Sequence, residues 1–159
     1  MEGKGIKKLE LKLRDGLALI NGTSCMTGIS ALNVQKASRL VDLSVEISSV
    51  LNEITDSYGD SFSQELNRVK LHPGQRKVAD KMRECLKDSQ LLKSRNEELY
   101  SLGSAESQRS QFKNKVQEYY SLRCVPQIAG AILDTVEKAK VVVEDELNSV
   151  SDNPIIDVE

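Results

Sequence analysis

Two tyrosines, an arginine and a cysteine stand together in VQEYYSLRCVPQ, residues 116–127, in a chain that has only four tyrosines and no tryptophan. Tyr120 and Arg123 are three residues apart, so on a helix they would lie on one face. The arginine guanidinium is a planar fork that matches a carboxylate, and a tyrosine hydroxyl can pass or share a proton. Such a pair could hold an amino acid. Equally, Arg123 could form a surface ion pair with Glu118 or Glu137.

Two amide side chains are further candidates for a binding site. Gln117 stands just ahead of the tyrosines, and Asn21 belongs to an Asn-Gly-Thr sequence that interrupts an apolar run. Each amide can donate and accept hydrogen bonds. The alternative for Asn21 is that the sequence marks the start of a helix, with Thr23 near the cap.

A metal centre is not expected. The three cysteines, Cys25, Cys85 and Cys124, are widely separated, and His72 is the only histidine. This spacing indicates neither a disulfide framework nor a zinc or iron site. We expect Cys124 to be a small buried residue and His72 to order the start of a helix.

Charge and hydropathy exclude several classes of partner. The chain has 159 residues, 29% of them charged, and a formal net charge of −2. No basic stripe favours nucleic acid or an anionic membrane. The sequence has no apolar signal-peptide core and no run approaching the roughly 18 apolar residues of a membrane span. We therefore expect a soluble, cytoplasmic protein with no nucleic acid or membrane as partner.

Hydrophobic periodicity predicts the elements that must position these residues. A long amphipathic helix is predicted from Thr27 to about Ile54, capped by Thr23 or Ser24 and stopped at residues 58–60. Its apolar stripe, spaced by three and four residues, is Leu40, Leu43, Ile47, Val50 and Ile54.

Two proline positions predict the starts of two further helices. Pro73 opens one, because proline tolerates the first helical position, and Val78, Met82 and Cys85 or Leu86 form its apolar face. Pro126 lies in the first turn of the other, which should end at residues 151–154. Its stripe is Val125, Ile128, Ile132, Val136, Ala139, Val143 and Leu147.

The rest of the chain is less regular. Residues 88–115 are polar and predict a loop with a short helical piece inside it. Leu9, Leu11 and Leu13 alternate with charged residues before Asp15, which predicts a short strand and turn. The fold class expected is all-α, with long antiparallel helices forming part of a helical bundle and a short strand or turn at the N-terminus.

Four motifs in register resemble those of the aromatic amino acid lyase family, the histidine, phenylalanine and tyrosine ammonia-lyases and related aminomutases. They are GLALINGT at residues 16–23, HPGQ at 72–75, QEYYSLRCVPQ at 117–127 and NSVSDNP at 148–154. Their order and approximate spacing cover nearly the whole chain. Tyr119 departs from the pattern, since many members carry proline or a small residue there.

The resemblance implies a function and a set of roles. It implies a methylidene-imidazolone prosthetic group, formed from Ala-Ser-Gly, that helps ammonia leave an aromatic amino acid. Asn21 would lie beside that group, and Tyr120 would be an active-site hydroxyl. Arg123 would bind the substrate carboxylate, and Gln117 would join the hydrogen-bond network. The family also implies a homotetramer.

Ala-Ser-Gly does not occur in the sequence. We therefore expect residues 1–159 to be a single internal segment of a larger lyase, inactive by itself. Histidine is the favoured substrate of the parent, giving urocanate. The alternatives are an aminomutase parent, a non-catalytic helical scaffold or interaction protein derived from the family, and a helical module that binds amino acids without turnover.

Overall fold

The computed structural model describes residues 4–5, 7–95 and 117–150, and these residues are mainly helical. The helices are α1 (Asp15–Asn21), α2 (Ser24–Ile54), α3 (Gln64–Arg68), α4 (Pro73–Cys85), α5 (Tyr120–Arg123) and α6 (Val125–Asn148), with a 3₁₀ turn at Gly59–Phe62. The all-α fold predicted from the sequence is confirmed.

The two long helices, α2 and α6, run antiparallel. At one end the Thr23 hydroxyl donates to a carboxylate oxygen of Glu146 at 3.2 Å. At the other end the Asn52 amide donates to the backbone carbonyl of Leu122 at 3.3 Å. Helix α4 packs against both of them.

Helix α2 ends as predicted near Ile54, but the stop signal is Asp56 and not residues 58–60. Asp56 adopts a left-handed backbone with φ of 49°. Its N–H donates to the carbonyl of Glu53 at 3.1 Å, and the N–H of Ser57 donates to the carbonyl of Asn52 at 3.0 Å. This pair of bonds is a Schellman motif, which satisfies carbonyls that the helix end leaves free.

Helix α4 starts at Pro73, as predicted, and meets α6 at two glycines. A Cβ atom on Gly74 would lie 2.2 Å from the carbonyl oxygen of Gly130, so the two backbones touch. The N–H of Gly74 donates to the Asp134 carboxylate at 2.8 Å. Leu86 is buried after the helix, whereas Cys85 is exposed.

The hydrophobic core lies where α2, α4 and α6 meet, with Phe62 of the 3₁₀ turn beside it. Leu92 and Leu133 pack against it from the edge. The buried members are Val45, Phe62, Val78, Met82, Leu86, Val125 and Ala129.

Among the described residues, the apolar stripe predicted for α2 is not the face that packs against other helices. Its five residues are all exposed, Leu40 by 65% and Ile54 by 63%. The buried residues of α2 are Val41, Val45, Ser49 and Asn52. They lie on the opposite side of the helix, where α4 and α6 contact it. The stripe of α6 is likewise only partly buried, because Ile128 and Ile132 remain half exposed.

The strand predicted around Leu9 and Leu11 is wrong. Residues 7–12 have no regular structure and are exposed. A strand needs a neighbour to complete its hydrogen-bond ladder, and no described segment pairs with this one. Asp15 begins α1 instead of a turn, and its carboxylate accepts the N–H of Lys12 at 2.8 Å.

The loop predicted over residues 88–115 is described only as far as Arg95. There Lys93 forms an isolated parallel bridge with Tyr58. The predicted helix end at residues 151–154 also falls on residues that are not described, and α6 itself ends at Asn148. Among the described helices none is long and apolar enough alone to cross a membrane, although α1 and α2 together, across a 41° bend, meet the same test of length and composition.

Candidate functional site

Helix α5 is a single turn that precedes α6, with Cys124 between the two. The break follows from Pro126, which has no N–H to donate to the carbonyl of Leu122 four residues earlier. That carbonyl accepts the side-chain amide of Asn52 instead, at 3.3 Å. A buried residue of α2 therefore anchors the turn that carries Tyr120 and Arg123.

Tyr120 and Arg123 lie on one face, as their spacing predicts. The Arg123 guanidinium carbon is 4.6 Å from the centre of the Tyr120 ring, a cation–π contact. Arg123 Nε donates to the backbone carbonyl of Glu118 at 3.1 Å. Because this hydrogen bond is made by Nε, it does not involve the two terminal nitrogens of Arg123.

The ion pairs considered for Arg123 do not form. The Glu118 carboxylate pairs with Arg95 at 3.2 Å, and Glu137 pairs with Lys77 at 2.9 Å. The guanidinium of Arg123 thus contacts the main chain of Glu118 and not its charge.

Glu118 is a residue whose role the sequence motifs did not indicate. Its side chain is only 14% exposed. Besides Arg95, its carboxylate accepts the backbone N–H of Tyr58 at 3.2 Å. The sequence did not indicate Asn52 either. Its partner, Leu122, is 70 residues away, and a local sequence pattern does not reveal so distant a contact.

The surface around this turn is open to solvent. Tyr120 is 70% exposed, Arg123 is half-buried, and Gln117 is exposed. Cys124 is half-buried, whereas from the sequence we expected it to be fully buried. Tyr120, Arg123 and Gln117 are therefore available to a ligand or to another protein surface.

Asn21 lies far from the other candidates. It is the last residue of α1, and Thr23 takes the position before α2, so the sequence is indeed a helix boundary. Twenty-eight residues separate Ser24 from Asn52 in α2, which corresponds to about 42 Å of helix. Since Asn52 contacts the turn that holds Tyr120, one copy of this chain keeps Asn21 at the opposite end of α2.

His72 occupies the position before α4, where its side chain makes no cap hydrogen bond. Its backbone there is extended, with φ of −75° and ψ of 112°, so the expected role of the His72 side chain at the helix start has no capping hydrogen bond to support it. Cys25 and Cys85 are exposed and distant in sequence.

Comparison with known proteins gives one family. The family model described as aromatic amino acid lyase matches residues 1–159. The chain is 40% identical to a phenylalanine ammonia-lyase from Nostoc punctiforme over 155 residues, covering 98% of the chain and 26% of that protein. It is 38% identical to a probable histidine ammonia-lyase from Thermoplasma volcanium over 151 residues, covering 95% of the chain and 27% of that protein.

A solved structure is similar in fold as well. The tyrosine aminomutase from Streptomyces globisporus superposes with a TM-score of 0.81 at 34% identity, covering 98% of this chain and 30% of that one. The chain thus spans less than a third of the length of each relative.

Proposed function

The chain belongs to the aromatic amino acid lyase family, and on that premise we propose that it forms one segment of a longer enzyme that eliminates ammonia from an aromatic L-amino acid. The observation that carries the proposal is the pairing of Arg123 with Tyr120 on one open face, 4.6 Å apart. Arg123 would bind the substrate carboxylate, because a guanidinium fork offers two parallel donors to two carboxylate oxygens.

Tyr120 and Gln117 would serve the same substrate. A tyrosine hydroxyl beside an arginine can accept or donate a proton at the reacting carbon or amine. Gln117 is exposed next to the same turn, and its amide can donate and accept hydrogen bonds. Asn52 would keep the turn in place through its bond to the Leu122 carbonyl.

Asn21 would act in the site of another copy. The end of α2 next to Asn21 is about 42 Å from the end that contacts the Arg123 turn, measured from Ser24 to Asn52. Along α6, Val125 and Glu146 are about 32 Å apart. No small amino acid bridges such a distance. We therefore propose a homo-oligomer, a tetramer by the family resemblance, in which Asn21 of one copy meets Tyr120 and Arg123 of another.

The resemblance also implies a methylidene-imidazolone group, whose chemistry is to draw electrons from the substrate as ammonia departs. The 159 residues contain no Ala-Ser-Gly, so this stretch does not hold the precursor of the group. The residue here that suits it is Asn21, whose exposed, uncharged amide could hydrogen-bond a carbonyl. We expect the 159-residue chain alone to release no ammonia.

Histidine, which we favour as a common substrate of the family and not from any residue of this chain, remains our first choice of substrate, with urocanate as product. A relative named as a probable histidine ammonia-lyase is compatible with it. An aminomutase is the second candidate, because the similar solved structure is described as a tyrosine aminomutase. An aminomutase would return the amino group to the neighbouring carbon and yield a β-amino acid.

The test is an assay of the longer protein with histidine, tyrosine and phenylalanine, following the absorbance of the unsaturated acid and any β-amino acid formed. Arg123→Lys keeps the charge but loses the fork, so kcat/KM should fall by about tenfold or more, mainly through KM. Arg39→Lys, on an exposed position of α2, should leave kcat/KM within about twofold. Turnover that is unaffected by Arg123→Lys would contradict the assigned role, and no product from any of the three would contradict the function.

A further inference from the structure

The Glu118 carboxylate is held from two sides. The Glu118 side chain is 14% exposed, and its carboxylate forms an ion pair with the Arg95 guanidinium at 3.2 Å. The backbone N–H of Tyr58 donates to it at 3.2 Å. A carboxylate this far removed from water has to be paired, so these contacts fix the position of Glu118.

Arg95 is itself fixed before it meets Glu118. Its backbone N–H donates to the Asp60 carboxylate at 2.9 Å. Its guanidinium carbon lies 4.6 Å from the centre of the Tyr58 ring. Two residues before Arg95, the backbone of Lys93 is also held. Its N–H donates to the carbonyl of Ser57 and its carbonyl accepts the N–H of Gly59, both at 2.9 Å.

The fixed position of Glu118 also restrains Arg123, which contacts the main chain of Glu118. Its carbonyl accepts Nε of Arg123 at 3.1 Å. An arginine held at Nε and stacked on Tyr120 has its side-chain torsions fixed, so less conformational entropy is lost when its terminal nitrogens bind a carboxylate.

We propose that Arg95 and Glu118 are positioning residues, which hold Arg123 so that its terminal nitrogens face the carboxylate of the substrate. This inference rests on the proposed function, because it assumes that Arg123 binds that carboxylate. Neither residue touches the substrate. Their effect is on the orientation of Arg123 and therefore on affinity for the carboxylate.

The experiment uses the longer protein with Glu118→Gln, Arg95→Gln and the double variant. Glutamine at position 118 keeps the backbone carbonyl and an acceptor for Tyr58 but removes the charge that binds Arg95. Each single variant should raise KM about tenfold with kcat changed less than about threefold, and the double variant should be no worse than either single one, as expected for residues acting through one contact.

A second readout separates positioning from general destabilisation. The unsaturated acid product carries the carboxylate that Arg123 would bind, and the matching amide does not. Inhibition by the acid should weaken about tenfold in Glu118→Gln, whereas inhibition by the amide should not change. If Glu118→Gln does not fold, Arg95→Gln carries the test, because it leaves Glu118 and its bond from Tyr58 in place.

The matched control is Asp56→Asn. It breaks the nearby Lys93–Asp56 ion pair, 3.3 Å long and about half exposed, and asparagine tolerates the left-handed backbone at this position. Asp56→Asn should leave KM unchanged. Equal weakening of acid and amide, or a KM unchanged by both Glu118→Gln and Arg95→Gln in a protein that Arg123→Lys does impair, would overturn the inference alone. An inactive longer protein that binds neither acid nor amide would overturn the proposed function and the inference with it.

Discussion

Asn67 and Gln75 form a buried pair of amides beneath the 3₁₀ turn. The Gln75 amide donates to the Asn67 side-chain oxygen at 3.0 Å. Asn67 in turn donates to the carbonyls of Ser61 at 3.2 Å and Ser63 at 2.9 Å. Loss of the Asn67 side chain therefore removes the partner of the buried Gln75 amide nitrogen and of the Ser61 carbonyl, and a buried polar group left without a partner is costly.

Asn67→Ala should therefore lower the free energy of unfolding by about 2 kcal/mol or more, measured by urea denaturation. Asn148→Ala is the matched control. Asn148 also donates to a carbonyl four residues earlier, at 2.7 Å, but it is exposed, so its loss should cost less than about 0.5 kcal/mol. Equal effects of the two substitutions would contradict the importance of burial.

Lys81 bridges α4 to α2 by ion pairs of 2.8 Å to Asp42 and 3.0 Å to Glu46. Burial lowers the pKa of Lys81, but hydrogen bonds and charge from Asp42 and Glu46 outweigh it, so the pKa lies above its ordinary 10.5. A pKa raised on folding means that the charged form stabilises the fold. The contribution is present in full below pH 10.5 and is lost as pH rises through the higher folded value.

Lys81→Met should lower the free energy of unfolding at about pH 8 by less than about 1 kcal/mol, since the three groups are partly exposed. The difference between Lys81→Met and the parent should shrink above about pH 11 and at high salt. Urea denaturation at the two pH values measures it. A difference that is the same at both would contradict the assignment to charge.

For single residues, the sequence predicted contacts that are local. Tyr120 and Arg123 share a face because they are three residues apart on a helical turn. The partner of Glu118 could not be predicted in the same way. Arg95 lies 23 residues earlier, and only the packing of α2, α4 and α6 brings the two together.

Among the helices, the contact between α4 and α6 depends on glycine. A Cβ on Gly130 would lie 2.5 Å from both the Cα and the N of Gln75 and 2.8 Å from the carbonyl carbon of Gly74. These are backbone atoms, which cannot rotate away, so the two helices would have to separate. The close approach also carries the bond from the Gly74 N–H to Asp134.

Gly130→Ala should lower the free energy of unfolding by about 2 kcal/mol or more. Gly28→Ala is the control, because Gly28 lies inside α2, where an added Cβ would meet nothing within 4 Å, and alanine favours a helix interior by about 0.5–1 kcal/mol. Thermal melting should thus shift down for Gly130→Ala and up for Gly28→Ala. A stabilising Gly130→Ala would contradict the close contact.

Helix positions followed from periodicity and proline. So did the buried face of α4, where Val78, Met82 and Leu86 are buried as predicted, whereas the buried face of α2 did not. The start of α4 at Pro73 and the end of α2 at Ile54 match the predictions. The stripe from Leu40 to Ile54 does not pack against the other helices that the structure describes, because Val41 and Val45 on the opposite side contact them. Periodicity shows that a face is apolar, but it does not show which neighbour covers it, and the buried side of α2 mixes valines with the polar Ser49 and Asn52.

Across the chain as a whole, the exposed stripe of α2 and the position of Asn21 point in the same direction. Leu43 is 48% exposed and Ile47 is 52% exposed. Asn21 lies near one end of this helix, and the turn with Arg123 lies near the other. A long apolar face without a partner among the described residues favours contact with other protein surfaces. The spacing within one chain, about 42 Å along α2, requires more than one copy if Asn21 and Arg123 serve one substrate.

The most direct measurement is complementation between inactive copies of the longer protein. Asn21→Ala and Arg123→Met are each expected to be inactive, and after equal mixing and reassembly about one quarter of the sites would combine an intact Asn21 with an intact Arg123 from another copy. We predict that activity returns to about that fraction. Tyr120→Phe mixed with Arg123→Met is the control and should stay inactive, because both residues come from the same turn. Failure of the first mixture to regain activity would contradict a site shared between copies.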